Sequence, residues 1–90
     1  MTKEQRYIVA ECVRQISDDD IRWLGLRLTE KLGGDLAEAV DFLSKSDKLD
    51  AYLKSATNSN ELFEAIDRIK DIVVGECKKR GVALKWMPIA

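Results

Sequence analysis

Apolar residues in this chain return at intervals of three and four in five successive runs, and each run opens at or near a residue able to cap a helix. Since one helical turn takes about 3.6 residues, that spacing gathers the apolar side chains onto one face. A single such face cannot be buried alone and must pack against another. The first run, Ile8, Val9, Cys12, Val13 and Ile16, predicts a helix over 3–16 that starts in a capping box between Thr2 and Gln5. Ser17 caps the second, with Asp18, Asp19 and Asp20 in its first turn, where unpaired amides and the helix dipole favour negative charge. Its buried row is Ile21, Leu24, Leu28 and Leu32, widened by Trp23 and Leu26, and Gly33-Gly34 is expected to end it through a left-handed C-cap.

Asp35 is expected to cap a short third helix carrying Leu36, Ala39, Val40 and Leu43, and Ser46 a fourth carrying Leu49, Tyr52, Leu53 and Ala56. After the polar turn 57–60, Leu62, Phe63, Ile66, Ile69, Val73 and Cys77 predict a long fifth helix over 61–80. Gly75 marks a bend or a break into two helices, and Gly81 a stop. Residues 82–90 alternate weakly and read as an extended C-terminal tail behind a bundle domain of residues 1–81. The tail puts Val82, Leu84 and Trp86 on one side. The fold class that follows is all-α, a compact antiparallel bundle of five to six helices around one core, which is what 90 residues can enclose.

Composition narrows function mainly by exclusion. There is no His, so the commonest general base and the commonest metal ligand are missing, and two Cys cannot build a four-ligand zinc site. Cys12 and Cys77 sit among apolar neighbours at helical spacing and read as buried, reduced thiols. The Asp18–Asp20 triplet lacks the alternating ligands of a calcium loop, and Gly33-Gly34 lacks the Lys-Ser/Thr pair of a phosphate loop. No catalytic, cofactor-binding or metal-binding residue is therefore assigned, no cofactor is expected, and the chain does not read as an enzyme. The N-terminus carries charges where a signal peptide is apolar, and no apolar run approaches a bilayer span. A reducing, cytoplasmic setting without a membrane partner is expected.

A helix-turn-helix reading of residues 26–44 would present Glu38 and Asp41 to DNA, a sign that repels phosphate. Nucleic acid is accordingly not expected as a partner. The net charge of −1 hides a polarity: residues 35–67 hold three basic and eight acidic side chains, residues 68–90 six and two. Helix-dipole compensation accounts for part of this. The functional alternative is that Asp18, Asp19 and Asp20 on one side and Lys78, Lys79 and Arg80 on the other meet a protein partner or a second copy through opposite charged patches. Trp86 in the tail is the remaining candidate contact.

The segment Ile21 to Val40, IRWLGLRLTEKLGGDLAEAV, resembles the Leu-rich helix ending in Leu-Gly and followed by an Asp/Leu-led helix of death-fold modules. The likeness points to the bacterial effector-associated and caspase-recruitment-like domains. Residues 60–69, NELFEAIDRI, with Lys78-Lys79-Arg80-Gly81, are similar to a later helix of that family. The resemblance implies a six-helix, non-enzymatic adaptor of bacterial immunity that recruits an effector through like-with-like contacts. The alternatives are a small DNA-associated regulator and a small inhibitor protein that occludes a larger enzyme complex.

Overall fold

Local signals set the helix starts. The Thr2 hydroxyl accepts from the Gln5 amide at 3.1 Å while Gln5 Oε1 accepts from the Thr2 amide at 3.0 Å, the reciprocal pair that opens α1 (Lys3–Arg14). Ser17 Oγ accepts from the Asp20 amide at 3.2 Å at the head of α2 (Asp18–Glu30). Asn58 Oδ1 accepts from the Glu61 amide at 2.9 Å at the head of α5 (Ser59–Arg80). Between them lie α3 (Gly33–Leu43) and α4 (Asp47–Lys54). These five helices form an all-α bundle in the computed structural model, which describes residues 2–30 and 33–84.

Several boundaries differ from expectation. Helix α1 stops at Arg14 because the Gln15 and Ile16 amides turn to Cys12 O and Val13 O at 3.3 and 3.1 Å, a tightened last turn that keeps Ile16 against the core. Gly33 and Gly34 open α3 rather than close α2, so Asp35 lies inside the first turn instead of ahead of it. A first turn tolerates this because its amides make no intrahelical bonds. Ser46 occupies the N-cap position of α4 but makes no capping bond; its hydroxyl lies 3.8 Å from Cys12 Sγ. Helix α5 runs unbroken through Gly75 and stops where expected, at Gly81 with φ 75°. There the Val82 amide reaches Cys77 O at 2.8 Å and the Gly81 amide Lys78 O at 3.2 Å, the double bond pattern of a left-handed cap.

Helix α5 is the spine: α1, α2 and α4 all pack on it, while α3 packs on α2. Val9 and Val13, Ile21, Leu24 and Leu28, Ala39 and Leu43, Leu49 and Leu53, and Ile66, Ile69, Val73 and Cys77 form one continuous core. No polar or charged side chain is buried among the described residues. Leu32 was expected in this core and lies outside them. Phe63 was expected on the buried face of α5 and is instead 53% exposed. The reason is angular, since the row Leu62, Ile66, Ile69, Val73, Cys77 steps by three and four, and Phe63 stands about 80° off its mean direction.

Beyond α5, Val82 and Leu84 pack against the core, and Arg22 Nε donates to Ala83 O at 3.3 Å. Leu84 lies over Gly25, where a Cβ would stand 2.7 Å from Leu84 Cδ2, so the missing side chain at 25 is what lets this segment close on α2. Trp86, the candidate contact in the tail, lies outside the described residues.

Candidate functional site

The two charged clusters singled out from the sequence do not stand on opposite sides of the molecule. Arg80 Nη1 donates to Asp18 Oδ1 at 3.1 Å, so one member of each cluster is paired with the other. The same guanidinium donates to Ile16 O at 2.6 Å, Arg14 O at 2.8 Å and Val13 O at 3.4 Å, and its Nε donates to Glu76 Oε2 at 2.9 Å. These carbonyls lie at and just beyond the end of α1, where helix carbonyls lack intrahelical partners; Val13 O also accepts from the Ile16 amide. Arg80, 17% exposed, is thus a clamp that caps α1 from α5, and it is held inside the chain rather than offered to a partner. Asp19, Asp20, Lys78 and Lys79 remain exposed.

Asp19 and Asp20 instead line an open groove of about 770 Å³ between α2 and α3, together with Glu38, Asp41, Trp23 and Phe42. The Trp23 and Phe42 rings meet with centroids 5.5 Å apart. The Arg27 guanidinium lies 4.2 Å from the Trp23 centroid, and its Nε donates to Glu38 Oε2 at 3.1 Å. Lys45 Nζ lies 5.9 Å from the Phe42 centroid. Cation, ring, ring and cation therefore satisfy one another across this groove. Among the described residues no group of three or more His, Cys, Asp or Glu side chains could hold a metal ion.

A second groove, about 370 Å³, runs between α3 and α5. Leu36, Val40, Leu62, Phe63 and Ile66 line it, and Asp41 stands on its lip. Asp41 also lines the α2/α3 groove, so the two surfaces are continuous across α3. Here the apolar side chains are not satisfied by one another in the same way: Phe63 keeps half its surface in water. Phe42 and Phe63 are the site residues that sequence reasoning missed. The signal for Phe63 was present in its own helical row, Phe63, Asp67, Lys70, which turns polar after one step.

The two thiols differ in their surroundings. Burial pushes the Cys77 thiol above its ordinary pKa, and its S–H points to Ile21 O at 3.9 Å, inside the core. Cys12 is half-buried, and both cysteines are free thiols. No helix among the described residues is long and apolar enough to cross a membrane. No family model, curated protein or solved structure matches the chain.

Proposed function

We propose that this protein is a non-enzymatic interaction module, an adaptor that recruits a protein partner by surface complementarity in the cytoplasm. The observation that carries the reading is the exposed Phe63 lining an apolar groove, where the other large apolar side chains among the described residues, Tyr7 apart, are at least partly covered. An exposed aromatic ring continuous with an apolar groove offers an anchor that a partner helix can bury. The residue chemistry agrees, since there is no His in the chain and the Cys77 thiol is withdrawn into the core.

The death-fold likeness fits this reading, with an adaptor role in bacterial immunity as its finer form. It rests on the segments 21–40 and 60–69 and on the helical architecture. Docking through the Asp18–Asp20 and Lys78–Arg80 clusters is less favoured, because Asp18 and Arg80 neutralise each other within the chain. DNA binding is also less favoured, because the exposed side of α3 presents Glu38 and Asp41.

The deciding experiment is affinity co-purification from the native host with three baits: the wild-type chain, Phe63→Ser, and the double variant Lys78→Glu/Lys79→Glu. A stoichiometric partner held by the wild type and the lysine variant but lost from Phe63→Ser is the expected result. Loss from the lysine variant alone would move the interface to the end of α5. A stoichiometric partner retained by every bait would remove both surfaces from the reading.

A further inference from the structure

We infer that the α3/α5 groove takes a basic amphipathic helix, whose apolar side chains seat against Phe63, Leu62 and Val40 and whose Lys or Arg side chains reach the acidic edge of α3. The inference rests on the interaction reading above and adds the chemistry of the partner.

Shape selects a helix. The groove lies between two helices, and its α3 wall has 11 residues, about 16 Å or three turns of facing length. Among the described residues there is no strand, so an extended peptide finds no sheet edge to pair with. A groove of about 370 Å³ exceeds the ~150 Å³ that admits a benzene ring, so it has room for more than one anchoring side chain.

Charge selects the sign. None of the side chains lining the groove is basic, and Asp41 stands on its lip with Glu38 one turn away on the same helix. Asp41 also lines the adjoining groove, where exposed Asp19 and Asp20 extend the acidic edge. The cations of the adjoining groove are engaged, Arg27 with Glu38 and Trp23 and Lys45 over Phe42. Glu38 is thereby paired, and a basic helix laid along α3 meets the exposed carboxylates of Asp41, Asp19 and Asp20, which speed encounter and fix the helix's orientation, whereas an acidic helix is repelled. A second copy of this chain offers no such helix: the five basic side chains of α5 are matched by five acidic ones, and in its last turn Arg80 is held by Asp18 and Glu76.

The test is selection of the folded, full-length chain against a displayed library of random peptides of about sixteen residues, long enough for four helical turns. The expected winners carry net positive charge with apolar residues spaced three and four apart. A synthesised winner should lose about tenfold in affinity, roughly 1.4 kcal/mol, against Phe63→Ser. It should also weaken against Asp41→Lys and at raised salt. Both substituted side chains are exposed, and far-ultraviolet circular dichroism checks that each variant remains helical. Neutral or acidic winners that still need Phe63 would overturn the basic partner while leaving the interaction reading intact. Winners indifferent to Phe63→Ser would overturn the interaction reading itself, and a library yielding no enriched sequence would overturn the inference. A concentration-dependent dimer abolished by Phe63→Ser would give the groove to a second copy and overturn it as well.

Discussion

At Gly75 and Gly81 the same residue type answers two different demands. Gly75 lies inside α5 with nothing within 4 Å of where a Cβ would be, so it contributes only backbone freedom to the unfolded chain. Gly81 has φ 75°, a left-handed conformation that an L side chain opposes. Gly75→Ala is therefore expected to stabilise by about 0.5–1 kcal/mol, and Gly81→Ala to destabilise by about 1–2 kcal/mol. Urea midpoints of the two variants check this, and equal effects would contradict the assignment of the cap. Gly81 was legible in the sequence because it follows the last apolar position and a basic turn. That Gly75 would not break the helix was not, because one glycine in a helix has a local cost that packing elsewhere decides.

At the scale of single helices, the ends matter more than the middles. Glu61 Oε2 accepts from the Thr57 hydroxyl at 2.6 Å and the Thr57 amide at 2.7 Å, and these bonds hold its carboxyl below its ordinary pKa. A carboxyl depressed in the folded state adds stability that is complete above its unfolded pKa, about 4.3, and is lost as the pH falls through the folded value. Thermal stability is thus expected to decline below about pH 4.3, and Glu61→Gln to flatten part of that decline. An unchanged pH profile for the variant would detach Glu61 from the cap.

Helix α1 ends differently, because its last carbonyls are met by Arg80 from α5. Arg80→Ala should lower the Tm clearly. Arg80→Lys should lower it nearly as far, since an ammonium cannot span three carbonyls and two carboxylates as the planar guanidinium does. Full recovery by lysine would reduce the clamp to simple charge.

For the molecule as a whole, burial ranks the expected costs. Leu28 is 1% exposed in the core, so Leu28→Ala is expected to cost about 2–5 kcal/mol. Leu84→Ala should cost less, because Leu84 is only partly buried where it closes over Gly25. Chemical denaturation of both variants checks the order, and a Leu84 cost as large as that of Leu28 would make the segment after Gly81 part of the core proper. The Phe63 surface belongs to this scale too, since no single helix makes it: α3 supplies one wall and α5 the other.

What the sequence determined by itself is therefore what local chemistry can encode. Helix starts at Thr2 and Ser17 and the stop at Gly81 involve partners within five residues, and the apolar rows follow from turn geometry alone; for α5 the sequence marked only the polar turn 57–60, within which Asn58 proved to be the cap and Ser59 the first residue. Tertiary structure decided the rest. Arg80 finds its carbonyls 64 to 67 residues back along the chain, and only the packing of α1 on α5 brings them into reach. A charge read from sequence as part of an exposed patch became a helix cap for that reason. Phe63 became exposed because the rotation of α5 was set by which row buried best against α1, α2 and α4, and that choice left the ring about 80° away from the core-facing row.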